Sequence, residues 1–182
     1  MKISSGWVLK ILLVVSWIIF IGVSIEAGGL IVKLIATMAK GAEGAKYFWT
    51  EVDLSALYLH DPGHFVAQSI MIIIVAVMKA SLFYSIIVML YNKKINLAQP
   101  FNKEMGRFIF KISYITLVIG FFSWQGVRYA KWLIANGVMM PEIHDLKLDG
   151  GDVWLFMSVT LFIIGHIFKR GIEIQEENEL TV

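Results

Sequence analysis

Asn92–Lys111, NKKINLAQPFNKEMGRFIFK, separates two long apolar runs and decides how the chain is threaded. It carries Lys93, Lys94, Lys103, Arg107 and Lys111 against a single acid, Glu104. A short basic loop between apolar runs stays on the cytoplasmic side of a membrane, so this stretch orients everything around it. Pro100 precedes Phe101 and biases the chain toward an extended turn, back to the next apolar run.

Composition supports the same class. The chain has 182 residues, 58% hydrophobic and 16% charged. A soluble domain is about 45–50% apolar and about a quarter charged. Apolar residues here come in blocks, which is the pattern of a bilayer protein. The formal net charge of +2 is too small to argue for nucleic acid. The absence of cysteine excludes disulfides, thiolate metal sites and cysteine nucleophiles.

On the N-terminal side of the central loop, Lys2 and Lys10 flank Trp7, an expected interfacial anchor. Trp7–Ile25 approaches the ~20 residues that a spanning helix needs. Its basic start and apolar run also fit a cleaved signal peptide with a site at Ile25-Glu26-Ala27, although Ile25 stands where a small residue belongs. The helical pattern continues through Leu30, Ile31, Leu34 and Ile35, so the first helix is expected to project beyond the bilayer. The acidic, aromatic stretch from Gly41 to Gly63 is expected to lie on the outer face as a short amphipathic piece. Lys169-Arg170 ends the last apolar run on the basic side, and Asp152 is expected to cap that run's start.

The expected fold is an all-α integral membrane four-helix bundle with N and C termini cytoplasmic. It is a single membrane domain over 1–182. The spans fall at about 7–27, 65–91, 108–133 and 152–168, and the outer loops at about 40–64 and 135–151. The cytoplasmic loop covers about 92–107, and the cytoplasmic tail 171–182. No repeat stands out. Gly22, Gly28, Gly120 and Gly165 are expected to allow close helix contact, and the serines in the spans to bond the helix backbone or a neighbouring helix.

Lys79 is the sharpest candidate residue, because counting puts it near the middle of the second span. A charge at a helix centre costs about 2.5–3.5 kcal/mol on insertion scales. Either it serves a site, or it snorkels with its stem packed in the bundle. Glu26 and Arg128 count to the outer boundary and are expected to pair. Alternatively, Glu26, Gln68, Lys79, Gln125 and Arg128 line an outward-facing pocket for a small anionic or zwitterionic ligand. His60, His64 and His144 are weak metal candidates, because Pro62-Gly63 breaks the helical spacing between the first two. His166 is expected to pack. No metalloprotease, phosphate-loop or nucleophile-elbow motif occurs, so neither an enzyme nor a cofactor is expected. Four spans without internal breaks in spans 2–4 also differ from a typical secondary transporter.

The segment INLAQPFNKE (95–104) and the end IFKRGIEIQEENELTV (167–182) together resemble a bacterial inner-membrane family catalogued as domain of unknown function 2975. The specific part is Phe168, Arg170, Gly171, Glu176, Asn178, Leu180, Thr181 and Val182. The resemblance implies a four-span inner-membrane protein of unassigned activity, paired with a cytoplasmic helix-turn-helix regulator of the Xre type. On that reading Arg170, Glu173, Glu176, Glu177 and Glu179 are partner-contact candidates, against the alternative of a solvated helix end. The leading expectation is a non-enzymatic sensor or sequestering partner of that regulator. The second is an envelope-stress or immunity protein that binds a small molecule, lipid or peptide in the outer half. Membrane lipid is an expected partner and a homo-oligomer a candidate one. Direct nucleic-acid binding is not expected.

Overall fold

The computed structural model describes residues 5–46, 53–92 and 102–179. Lys93, Lys94, Pro100 and Phe101 of the central loop therefore lie outside the described residues, as do Tyr47, Phe48, Trp49, Glu51 and 180–182. Six helices follow in order: α1 Ser5–Lys40, α2 Ala42–Lys46, α3 Ser55–His60, α4 Pro62–Tyr91, α5 Lys103–Ala135 and α6 Gly151–Glu179. No strand occurs among the described residues. Four of the helices, α1, α4, α5 and α6, are long and apolar enough to cross a membrane.

Helix ends follow from local chemistry. Asp61 is the N-cap of α4, its side chain accepting from Gly63 N at 2.6 Å and His64 N at 3.0 Å, and Pro62 occupies the first turn. Asn102 caps α5 by accepting from Met105 N at 2.8 Å. The far end of α5 closes with Gly137 at φ 82°. There Val138 N donates to Leu133 O at 3.1 Å and Gly137 N to Ile134 O at 3.0 Å, which is a Schellman arrangement. Asp152 lies inside the first turn of α6 and is not its cap, because the helix already starts at Gly151.

The long helices pack in a row, α1–α4–α5–α6, with no packing contact joining α1 to α5 or α6 among the described residues. The expected bundle is thus open, with α1 and α6 at its edges. Apolar side chains gain little by leaving lipid tails for one another, so nothing forces the row to close.

The tightest seam joins α5 and α6. Gly106, Ser113 and Gly120 repeat every seventh residue on α5, as Gly151, Ser158 and Gly165 do on α6, and all six are buried. Ser113 Oγ donates to Ser158 O at 2.9 Å, and Ser158 Oγ donates back to Ser113 O at 3.0 Å. Small residues let the backbones approach, and the paired hydroxyls join them. Gly22 and Gly28 behave differently: a Cβ at either would meet nothing within 4 Å. They lie on α1, the edge helix, and seat no neighbour.

The two ends of the row differ. At the basic end lie Lys10, Lys103, Arg107 and Lys169. At the other, the head end, α1, α4 and α5 run past the start of α6 and enclose α3 and the connection 136–150. Leu54, Leu57, Phe65, Leu133, Leu146 and Leu148 form a buried core there. Where it is described, the first connection buries one side against the long helices, with Leu57 of α3 fully buried, and leaves Leu59 74% exposed on the other. The second connection folds inward, with Leu146 and Leu148 as its anchors.

Candidate functional site

The inward fold of 136–150 assembles a polar cluster at the edge of the head-end core. Leu148 packs on Gly126 of α5, where a Cβ would come within 2.6 Å of a Leu148 methyl. Leu146 enters the core between α1 and α4. The residue between these anchors, Lys147, takes a left-handed backbone with φ 53°. Such a conformation costs of order 1–3 kcal/mol in a side-chain-bearing residue and persists only where the surroundings enforce it. Two leucines seated in the core do so here.

Lys147 then makes two contacts. Its Nζ pairs with Glu26 Oε1 of α1 at 2.9 Å. Its carbonyl accepts from Lys79 Nζ of α4 at 3.2 Å. The three residues tie α1, α4 and the connection together. Glu26 and Lys147 also separate two clefts. One is narrow and walled by Leu30, Leu34, Leu54, Phe65 and Ile73, with Lys33, Ser69 and Asp145 as polar lining. The other, also narrow, is walled by Val23, Val75 and Ala76 and holds Lys79. Both share Glu26, Leu30, Ile72 and Lys147. The arrangement is amphipathic: apolar walls along α1 and α4, with charges of both signs at the shared partition.

The candidate pocket is thus brought together only in part. Glu26 and Lys79 converge, but Arg128 does not join them. The expected Glu26–Arg128 pair is replaced by Glu26–Lys147, because α4 stands between α1 and α5. Arg128 is exposed and its guanidinium lies 4.7 Å over the Trp124 ring, one turn back on its own helix. Gln68 is fully buried between α4 and α5, with Nε2 donating to Gly126 O at 3.4 Å and Oε1 without a partner. Gln125 is half-buried on α5, and neither glutamine lines the clefts.

Two residues escaped sequence reasoning. Lys33 is only 4% exposed, two turns beyond Glu26 on the same face of α1. Lys147 sits in a stretch that reads as an acidic loop. Its signal was the alternation Leu146-Lys147-Leu148 between polar residues.

The histidines form other structures. His60 ends α3 and His64 opens α4, and their rings stack with centroids 6.2 Å apart. His64 Nδ1 bonds Tyr129 OH, and its ring meets Trp132 edge-on at 5.6 Å. The His64 and Gly63 amides hold the Asp61 carboxyl below its usual range. His144 Nδ1 lies 2.7 Å from Asp149 Oδ2 at the surface. No group of three metal-ligating side chains occurs among the described residues. His166 packs against Phe110 and Phe162.

At the basic end, α6 continues as helix past Lys169 to Glu179. Its acids are engaged within the chain: Glu176 with Lys103 at 2.7 Å, and Arg170 with Glu173 at 3.1 Å and Glu177 at 4.0 Å. The Glu179 side chain lies outside the described residues. Comparison with protein-family profiles, curated proteins and solved structures finds no match to this chain.

Proposed function

We propose that this chain is a non-enzymatic sensor of the bacterial inner membrane, with both termini cytoplasmic. On this reading a small amphipathic ligand enters the head-end clefts, and the tail of α6 contacts a cytoplasmic helix-turn-helix regulator. The observation that carries it is the position of Lys147. The residue that bridges Glu26 and Lys79 belongs to the connection that becomes α6 at Gly151, and α6 then runs unbroken to the tail. A ligand that competes for Glu26 or Lys147 would act on the start of a rigid helix whose other end is the proposed output. The resemblance of 167–182 to the family named above supports the regulator half.

The bilayer is then placed by helix rise. Lys10 to Glu26, Arg107 to Trp124, and Asp152 to Lys169 each span about 25 Å at 1.5 Å per residue. That is near the ~30 Å of a hydrocarbon core. On this placement Lys79 lies at the outer boundary and not at the bilayer centre, so its insertion cost falls away. Ile18 and Ile35 offer a direct test, being 66% and 62% exposed in the protein itself. In the cysteine-free background, Ile35→Cys should react from outside intact cells with a membrane-impermeant maleimide, and Ile18→Cys should not. Equal labelling would remove the boundary from this level.

The regulator half is tested by affinity purification of the tagged full chain from mild detergent, beside a chain lacking 171–182. Co-purification of a helix-turn-helix protein with the full chain alone is the expected result, and Glu26→Gln should change its recovery severalfold. If no such protein is enriched, the regulator half is lost. If the recovery ignores Glu26, the cleft is not its input.

A further inference from the structure

A second polar feature lies at the opposite end, independent of the clefts. Arg107 and Lys111 stand four residues apart on α5 and share one side of it. Both are exposed, and among the described residues neither makes an ion pair with a carboxylate. Two shallow grooves between α4 and α5 meet at this pair. The first is bordered by Tyr84, Val88, Met89 and Phe108 and includes Glu104. The second leads away from the basic end past Met78, Phe110, Tyr114 and Ile115 to Val118. It is apolar once Arg107 and Lys111 are passed.

We infer that this groove is a binding site for an anionic phospholipid. The phosphodiester would sit between Arg107 and Lys111, and an acyl chain would lie along α5 toward Val118. The geometry matches on both counts. Two cations one helical turn apart can share one phosphate, with the planar guanidinium making the directional bonds. Arg107 to Val118 is about 16 Å along the helix, which is the depth of one leaflet of a ~30 Å core. Basic pockets between membrane helices hold anionic head groups for this reason. The apolar length of the groove favours a lipid over free phosphate, which would leave it unfilled.

The test uses the full chain in mild detergent and native mass spectrometry. The probes are phosphatidylglycerol, phosphatidylcholine with the same acyl chains, and inorganic phosphate. Phosphatidylglycerol should bind about tenfold more tightly than phosphatidylcholine. The R107Q/K111Q variant should remove that preference, and R107K/K111R should keep it. Val118→Trp fills the groove with both cations in place and should weaken phosphatidylglycerol binding. Equal affinity for the two lipids would overturn the inference, as would R107Q/K111Q retaining the preference. Displacement of the lipid by inorganic phosphate at equal concentration would also overturn it, because the groove would then contribute nothing.

Discussion

Replacing Gly120 by leucine is expected to push α6 off α5 and to lower the unfolding temperature in mild detergent by about 5–10 °C. The reason is the backbone approach at this point of the seam. A Cβ on Gly120 would lie 2.8 Å from the backbone nitrogen of Leu155 and equally near its side chain. The same closeness appears from the other side, where a Cβ on Gly151 would lie 2.8 Å from Trp124 N. Backbone cannot rotate away as a side-chain tip can, so the helices must separate. Separation would also stretch the reciprocal Ser113–Ser158 hydrogen bonds. Each membrane hydrogen bond of this kind contributes about 0.6 kcal/mol, so steric overpacking of about 1–3 kcal/mol is the larger part. Gly22→Leu is the control, since nothing lies within 4 Å of a Cβ there. An equal drop for both variants would mean that the small-residue seam does not hold α6.

The second large effect is expected at Leu148. It is fully buried in the head-end core, against Gly126. Leu148→Ala should cost about 2–5 kcal/mol, the usual range for a buried leucine whose site cannot collapse. The site is rigid here because Gly126 lies within α5, more than two turns from its end. Thermal unfolding reports the loss, and limited proteolysis should cut within 136–150 in the variant but not in the parent chain. Met139→Ala, at a residue 80% exposed on the same connection, should be neutral. The substitution also bears on the candidate site. With Leu148 gone, one of the two anchors of the left-handed Lys147 backbone is lost, and its pair with Glu26 is weakened. Glu26→Gln added to Leu148→Ala should therefore cost less than Glu26→Gln alone. Full additivity would mean that the ion pair does not depend on the anchored connection.

Much of the fold is legible in the sequence. The four apolar runs became four long helices, because their lengths, the lack of interior proline and the capping signals at Asp61 and Asn102 all point the same way. The projection of α1 beyond Ile25 was also legible from the periodicity through Leu34 and Ile35. Glu26 and Lys79 were expected to come within reach of each other, and in the structure both contact Lys147. Arg128 was misplaced because counting residues gives depth along a helix and says nothing about which helix stands between. Lys147 was missed because loop residues carry no periodicity to announce which of them meets a helix. The heptad spacing of Gly106, Ser113 and Gly120 against Gly151, Ser158 and Gly165 was present in the letters all along.

The sequence by itself determined the all-helical class and the number of long apolar segments. In a medium without water every backbone amide must find a partner, and an apolar run of about 20 residues or more does so within itself as a helix. It also determined which ends carry positive charge. Only the tertiary structure decided that the helices form an open row, that α5 and α6 share the close seam, and that Lys147 lies between Glu26 and Lys79. Lipid is as apolar as leucine, so hydrophobicity cannot choose a helix's neighbour. The choice falls to local shape and to a few polar contacts between residues far apart in the chain, which exist only once the chain has folded.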